Sequence, residues 1–203
     1  MSPRRIGLYG GSFDPPHLAH LALARVARDT LALEELRWQP AGRPWQKPGR
    51  LVASDAQRVA MLRLLIDQEA GFIVNTCELE REGPSYTIDT LRELAAAQPG
   101  ALRFLIIGAD QFARLDSWKD AGQIPQLATL AVAAREGQAV VPPAGWPGAP
   151  LAWVELPLPR IDISATEVRR RAAAGEPVSP LVGEAVAGYI DQHHLYRVAP
   201  GRP

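Results

Sequence analysis

The sequence predicts an α/β fold with one doubly wound, mostly parallel sheet and helices on both of its faces. Two observations support this prediction. Short apolar runs of strand length alternate with longer segments whose apolar residues repeat at helical spacing. No internal repeat and no domain linker interrupts the alternation. We therefore expect a single domain over residues 1–203.

The strand predictions rest on short apolar runs that begin or end at turn residues. The run 6–9 ends at Gly10 and Gly11, which indicates a buried strand that enters a tight turn. Gly71 precedes another short run, and 102–107 is the most strand-like run of the chain. The predicted strands span 6–9, 36–39, 72–74, 102–107, 129–133 and 152–156.

The helix predictions rest on capping residues and on apolar spacing. Asp14 is predicted as an N-cap, with Pro15 and Pro16 in the first helical positions. Ser54 and Gln57 have the spacing of a capping box. The predicted helices follow Asp14 to about 31, follow Ser54 to about 68, and span about 86–97, 164–174 and 180–192.

Charge and cysteine content exclude several classes of function. Twenty-two basic side chains balance twenty-two acidic ones, so we expect no nucleic-acid partner, whereas a small anionic ligand needs only a few local cations. Cys77 is the single cysteine, which excludes an internal disulfide and a CxxC zinc site. No apolar run reaches the roughly 18 residues of a membrane span. The N-terminus does not resemble a signal peptide. We expect a cytoplasmic protein.

The turn after the first predicted strand, residues 10–20, reads GGSFDPPHLAH. It has neither the glycine spacing of a dinucleotide-binding turn nor the Gly-Lys-Ser/Thr ending of a P-loop. A spacing of three places His17 and His20 on one face of the predicted helix, where the helix N-terminus already attracts anions. The pair therefore predicts a phosphate cradle. Taken alone, it is also compatible with a surface pair or a chance metal pair.

This turn resembles the GxFDPxHxGH signature of the nucleotidyltransferase superfamily. Residues 163–169, ISATEVR, are similar to its second signature, ISxTxxR, about 150 residues further on. The chain departs from the first signature at Ala19, where the family usually has glycine. The resemblance implies a Rossmann-like nucleotidyltransferase fold and an ATP site at the first turn, with Gly10, Gly11, Ser12, Phe13, His17 and His20.

The second signature implies that the helices at 164–192 complete the ATP site. Ser164 and Thr166 would hold the outer phosphates, and Arg169 would neutralise the departing pyrophosphate. Another interpretation is structural, because Ser164 and Glu167 also have the spacing of a capping box. The next two arginines, 170 and 171, are expected to be solvated charges.

Further segments resemble bacterial nicotinate-nucleotide adenylyltransferases over nearly the whole length. They are the PSYT at 84–87, the FLIIGAD at 104–110, Trp118, and a tail from Tyr189-Ile190 to Leu195-Tyr196. The resemblance implies a substrate site at Ser85, Tyr86, Thr87 and Trp118. There, helix amides would hold the nicotinate carboxylate and the indole would stack on the pyridinium ring.

Simpler roles stay open for some of these residues. Thr87 has the position of a helix cap, and Trp118 that of a half-buried core residue. Gly108 and Asp110 fall where the family places its adenosine-binding loop, and Asp110 is either a ligand contact or a helix cap. In the proline-rich loop 40–51, Gln46 stands where the family often has histidine. Lys47 is retained and is expected to reach the ATP phosphates; the alternative is a solvated charge, as is common for a lysine in a loop.

The reaction implied is adenylyl transfer from ATP to nicotinate mononucleotide, which gives deamido-NAD and pyrophosphate without a covalent intermediate. His17, His20 and Arg169 are the expected catalytic residues. Mg²⁺ is expected to arrive on the ATP phosphates, with no metal site in the protein. The alternatives are phosphopantetheine adenylyltransferase, a cytidylyltransferase and a non-catalytic ATP sensor. The sequence leaves open a monomer or a small homo-oligomer and the preference over nicotinamide mononucleotide.

Overall fold

Parallel strands form one six-stranded sheet in the computed structural model, which describes residues 2–42, 52–135, 139–146 and 151–197. The strand order is β3-β2-β1-β4-β5-β6, and each neighbouring pair is parallel. The order reverses between β1 and β4, as in doubly wound nucleotide-binding sheets. The strands are β1 (Arg5–Gly11), β2 (Glu35–Pro40), β3 (Phe72–Val74), β4 (Leu102–Gly108), β5 (Thr129–Arg135) and β6 (Trp153–Leu158).

Helices lie between successive strands from β1 to β5 and follow β6. Two 3-10 turns, Leu115–Ser117 and Ala121–Gln123, lie between β4 and β5. Within the described ranges no helix combines the length and apolar character that a membrane crossing requires. The α-helices are α1 (Leu18–Thr30), α2 (Asp55–Ile66), α3 (Cys77–Glu80), α4 (Thr87–Ala97), α5 (Ala109–Phe112), α6 (Ile124–Leu127), α7 (Ala165–Ala173), α8 (Ser179–Val182) and α9 (Glu184–Gln192).

Each face of the sheet is covered by helices, which confirms the predicted fold class. Successive residues of a strand point to opposite faces. Tyr9 of β1 therefore packs in a cluster with Trp38, α1 and α2, whereas the neighbouring Leu8 packs with Leu105 and α4. The apolar character of the strands follows from burial on both faces.

The C-terminal helices form a third cluster with α2. Val168 of α7, Val182 of α8 and Ile190 of α9 are buried together with Met61 of α2. This packing holds α7, which carries the second motif, against α2.

The structure corrects three boundaries. The predicted helix 180–192 is interrupted at Gly183, whose φ of +82° is left-handed, and becomes α8 and α9. The last strand lies at Trp153–Leu158 rather than 152–156. The first helix begins at Leu18 with His17 as its N-cap, so the prediction of Asp14 as the cap and of prolines in the first turn is wrong.

Candidate active site

A cleft of about 940 Å³ opens at the carboxyl ends of the strands, around the point where the strand order reverses. This is the position that a doubly wound sheet favours for a ligand. Lys47 and Gln46 lie outside the described residues. All other predicted site residues line the cleft: Gly10, Gly11, Ser12, Phe13, His17, His20, Ser85, Tyr86, Thr87, Gly108, Asp110, Trp118, Ser164, Thr166 and Arg169.

The two histidines of the first motif stack on each other at the start of α1. Their ring centroids are 3.6 Å apart and their planes differ by 22°. The backbone N–H of His17 donates to Nδ1 of His20 at 3.2 Å. Because Nδ1 accepts this bond, a neutral His20 carries its proton on Nε2. The spacing of three thus brings both imidazoles together, as the sequence indicated.

Burial keeps the His17 imidazole uncharged. His17 is 6% exposed, and burial lowers its pKa from 6.5 to about 4. Its Nδ1 has no hydrogen-bond partner among the described residues. At neutral pH this ring is therefore a neutral group with unused hydrogen-bonding capacity beside the cleft, rather than a fixed positive charge.

Phe13 shapes the turn between β1 and α1. Its φ of +47° is left-handed, and its ring lies edge-on to Tyr9 and to His20 at 5.5 and 5.1 Å. A Cβ on Gly11 would lie 2.8 Å from this ring, so Gly11 is required by packing. A Cβ on Gly10 would meet no atom within 4 Å, so its missing side chain leaves open cleft instead.

Asp14 connects the turn to distant parts of the chain, which is why it does not cap α1. Its carboxylate accepts hydrogen bonds from the backbone N–H groups of Val52 and Ala53, at 2.7 and 3.1 Å. It also accepts one from the hydroxyl of Tyr196 at 2.7 Å. The buried carboxylate thus holds the segment before α2 and the C-terminal tail.

Arg169 joins the second motif to the first. Its guanidinium donates to the backbone carbonyl of Asp14 at 2.6 Å and to Oγ1 of Thr166 at 3.3 Å. A cation is therefore held at the wall of the cleft that also contains the two histidines.

Ser164 caps α7, but the predicted capping box is only half formed. Its Oγ accepts from the backbone N–H of Glu167 at 3.2 Å. The Glu167 carboxylate pairs instead with Arg170 and Arg171, and the hydrogen bonds from these arginines lower its pKa to about 2. These two arginines are thus paired, whereas Arg169 faces the cleft.

The N-terminus of α4 opens at the cleft beside the PSYT segment. Tyr86 is the N-cap and no side chain caps this helix, so the suggestion that Thr87 is a cap is wrong. The first-turn amides lack intrahelical partners by geometry and suit an anion. The buried Ser85 hydroxyl donates to the backbone carbonyl of Glu78 at 3.2 Å. This hydrogen bond holds the PSYT segment against α3.

Trp118 packs against the core and also lines the cleft. It packs against the core cluster of β4 and α4, and it lines the cleft with an indole Nε1 that has no partner in the described parts of the chain. The following Lys119 places Nζ 4.4 Å from the centre of the Tyr86 ring and 3.3 Å from Asp89. Sequence reasoning missed this cation, although it directly follows the tryptophan.

Asp110 is part of α5 and does not cap it, because Gly108 is the N-cap and α5 has no side-chain cap bond. The exposed carboxylate lies near Gln111 and Arg114 and lines the cleft. A Cβ on Gly108 would approach its Oδ1 to 2.7 Å. The glycine therefore makes room for the carboxylate at the end of β4.

A fully buried arginine supports two loops of the cleft and was also missed. Arg58 of α2 donates to the backbone carbonyls of Ser12 and Ala41, both at 2.7 Å, and to Asp55 at 2.6 Å. A signal was present, because Arg58 stands four residues before the buried Leu62, on the apolar face of α2.

Comparison with known proteins identifies the family of this chain. The family model described as cytidylyltransferase-like matches residues 8–171. A relative in Methylibium petroleiphilum, named "probable nicotinate-nucleotide adenylyltransferase", is 46% identical over 98% of this chain and 94% of its own length. A relative of the same name in Thermus thermophilus is 42% identical over 95% of this chain and 100% of its own.

A solved structure has the same fold at low identity. It is the Plasmodium falciparum nicotinic acid mononucleotide adenylyltransferase complexed with NaAD, with a TM-score of 0.74 and 19% identity. The match covers 95% of this chain and 97% of the plasmodial chain. The chain belongs to the cytidylyltransferase-like family and, within it, to the nicotinate-nucleotide adenylyltransferases.

Proposed function

We propose that this protein transfers the adenylyl group of ATP to nicotinate mononucleotide and releases deamido-NAD and pyrophosphate. The proposal rests on one observation. The stacked histidines, Arg169, the N-terminus of α4 and Trp118 all line the same cleft. The relatives that share its family are named for this reaction. The plasmodial protein of the same fold is complexed with NaAD, which is the product of such a transfer.

The reaction needs positioning and charge stabilisation rather than a general base. An ionised phosphate oxygen of nicotinate mononucleotide forms a bond to the α-phosphorus of ATP. The bond from that phosphorus to the bridging oxygen breaks, and pyrophosphate departs with the electron pair. Because the attacking oxygen is already ionised, the protein has to align the two groups and stabilise the developing charge.

The phosphate end of the site is assigned to the two motifs. Backbone at Gly10 and Gly11 lies close to the chain of phosphates, and Ser12 and Phe13 complete this turn. His17 and His20 donate N–H hydrogen bonds to ATP phosphate oxygens, with His17 uncharged at neutral pH.

The α7 residues Ser164, Thr166 and Arg169 hold the departing phosphates, so that the C-terminal helices at 164–192 complete the ATP site. Gly108 and Asp110 border the nucleoside part of the same cleft. Lys47, which lies outside the described residues, is proposed as a further phosphate-binding residue.

The mononucleotide end is assigned to α4 and Trp118. The amides of Tyr86 and Thr87 bind the nicotinate carboxylate at the positive end of the α4 dipole. Trp118 stacks on the pyridinium ring, and Ser85 positions the helix start through Glu78. A carboxylate gains from these amides, whereas a carboxamide gains less, so nicotinate is favoured over nicotinamide mononucleotide.

Mg²⁺ is proposed to enter on the phosphates of ATP. Two of the carboxylates at the cleft already accept hydrogen bonds from the protein. Asp14 accepts them from Val52, Ala53 and Tyr196, and Glu78 accepts one from Thr90. Phosphate oxygens and water are therefore the natural ligands, as is usual for this ion. Bound there, the ion would supply neutralisation of phosphate charge.

The test is a product assay on purified protein with ATP, Mg²⁺ and either mononucleotide. We expect pyrophosphate release together with deamido-NAD, identified by mass, and slower turnover of nicotinamide mononucleotide. His20→Ala is expected to lower kcat by on the order of 10²-fold. Absence of product with nicotinate mononucleotide, or near-normal kcat in His20→Ala at saturating substrates, would contradict the proposal. Omitting Mg²⁺ in the presence of a chelator checks the metal requirement.

A further inference from the structure

The side-chain amide of Gln39 is a buried donor at the cleft with no acceptor in the described part of the chain. Gln39 is the penultimate residue of β2, is 1% exposed and lines the cleft. Its Nε2 has no hydrogen bond among the described residues. A buried amide nitrogen without an acceptor is costly, so its presence indicates an acceptor that arrives with a ligand.

The same property is shared by two residues whose ligands are proposed above. His17 and Trp118 also carry a buried, unpartnered side-chain nitrogen at the cleft. The three unused polar groups thus lie around one space. Gln39 is the member of this set to which the family motifs assign no role.

A chain of hydrogen bonds fixes the orientation of the Gln39 amide. The Sγ of Cys77 receives contacts from Asn75 Nδ2 at 3.5 Å and from the Arg81 guanidinium at 4.0 Å. Its own proton is therefore directed to Oε1 of Gln39, 3.4 Å away. Burial raises the pKa of the Cys77 thiol, so the thiol keeps this proton at neutral pH. With Oε1 held as the acceptor, Nε2 is turned away from Cys77.

The cleft is the space that this amide borders. A smaller cavity of about 130 Å³ lies beside Cys77, and Gln39 does not line it. In the sheet, Gln39 is paired with Gly10, where a Cβ would meet no atom within 4 Å. The cleft is therefore open beside Gln39.

The position of Gln39 favours the mononucleotide over ATP. Trp38, its neighbour in β2, packs on the histidine side of the sheet with α1. Gln39 points to the opposite face, where Cys77 begins α3. The next residue, Glu78, contacts Ser85 and Thr90 at the start of α4. This is the side to which the mononucleotide is assigned.

We propose that Gln39 is a substrate-binding residue whose Nε2 donates a hydrogen bond to an anionic oxygen of the mononucleotide. The inference rests on the proposed function. Nicotinate mononucleotide offers two such groups, the pyridine carboxylate and the 5′-phosphate. Both are acceptors only, which matches a site that presents a donor only.

The experiment compares Gln39→Glu and Gln39→Met with the unaltered chain. Glu has nearly the same shape but replaces the donor by a negatively charged acceptor, and Met keeps the length without a polar group. We expect the KM for nicotinate mononucleotide to rise about tenfold in Gln39→Met and on the order of 100-fold in Gln39→Glu. The KM for ATP is expected to stay within about threefold in Gln39→Met. Arg37→Lys, on the same strand but at the smaller cavity, is the control and is expected to leave both KM values unchanged.

Nicotinamide mononucleotide identifies the acceptor because it keeps the phosphate and lacks the carboxylate. An equal rise of KM for both mononucleotides assigns Gln39 to the phosphate, and a rise for the nicotinate form alone assigns it to the carboxylate. Unchanged KM for both mononucleotides, or an equal rise for ATP in Gln39→Met, overturns the inference.

Thermal melting separates binding from folding in these variants. If neither variant folds, the amide serves the fold and the inference is likewise overturned. Failure of the unaltered chain to use nicotinate mononucleotide is a different result, because it contradicts the proposed function itself.

Discussion

Arg169 donates a 2.6 Å hydrogen bond to the backbone carbonyl of Asp14, which joins two motifs 155 residues apart in the sequence. The carboxylate of the same aspartate is fixed by Val52, Ala53 and Tyr196. The position of the guanidinium therefore depends on the first turn, the start of α2 and the C-terminal tail together. A pre-positioned cation of this kind costs little reorganisation when charge develops on a leaving group.

Arg169→Ala is expected to lower kcat by on the order of 10²- to 10³-fold, because it removes this cation from the cleft. The free energy of unfolding should change by only about 1 kcal/mol, since a half-buried hydrogen bond to a carbonyl is lost. Steady-state kinetics and denaturant unfolding measure the two effects. Arg170→Ala is the matched control on the same helix. Arg170 is paired with Glu167 and Glu176, so its loss should leave kcat within about twofold. A comparable loss of kcat in both variants would contradict the assignment.

The two glycines of the first turn are expected to respond differently to alanine. Gly11→Ala would place a Cβ 2.8 Å from the buried Phe13 ring and should lower the free energy of unfolding by roughly 1 to 3 kcal/mol. Gly10→Ala meets no protein atom, so stability should change by about 0.5 kcal/mol or less. The added methyl group extends into the cleft, and the KM for ATP should rise at least about tenfold, roughly 1.4 kcal/mol. Unchanged KM in a stable Gly10→Ala protein would show that the phosphates do not approach this residue.

Local features could be predicted from the sequence because their causes are local. The capping box of Ser54 and Gln57 forms with both of its hydrogen bonds. The stacking of His17 and His20 follows from a separation of three residues at the start of α1, where His17 is the N-cap and His20 lies in the first turn. The order of the six strands and of the longer helices also follows, because short apolar runs and helical apolar spacing mark the buried segments. The short helices α3, α5 and α6 were not predicted.

Features that depend on distant contacts could not be predicted in the same way. Asp14 has the residue type and position of a helix cap, but its carboxylate binds Val52, Ala53 and Tyr196, which are 38 to 182 residues away. Gln39 belongs to no motif, and its unused donor is visible only when its neighbours are in place.

Arg58→Lys is expected to destabilise the protein although it preserves the charge. Two guanidinium nitrogens of Arg58 donate to the carbonyls of Ser12 and Ala41 at the same time, and a single ammonium group cannot reproduce this geometry. The loss in free energy of unfolding should be on the order of 2 to 4 kcal/mol, as for other broken buried networks. Arg63→Lys on the exposed face of α2 is the control, with an expected change of about 0.5 kcal/mol or less. Equal denaturant midpoints for the two variants would show that the paired hydrogen bonds of the Arg58 guanidinium are not needed for stability.

The burial of His17 predicts a pH dependence of stability. Burial lowers its pKa to about 4 in the folded protein, from 6.5 in the unfolded chain. Between these values the unfolded chain binds more protons, so the free energy of unfolding rises with pH in this window. The contribution is fully present above pH 6.5 and is lost as the pH falls through about 4. Its size is roughly 3 kcal/mol at most.

His17→Asn isolates this contribution, because all other titrating groups remain in both proteins. Denaturant unfolding from pH 4 to 7.5 should show a steeper rise of stability for the unaltered chain than for the variant, with the difference confined to the window below pH 6.5. His193→Asn, at the end of α9 and away from the cleft, is expected to keep the steep slope. Parallel curves for His17→Asn and the unaltered chain would mean that the imidazole gains a proton in the folded protein as readily as in the unfolded one. In that case the pKa of His17 would stay near 6.5, the imidazole would be partly protonated near neutral pH, and burial would no longer account for its proposed role as an uncharged donor to ATP.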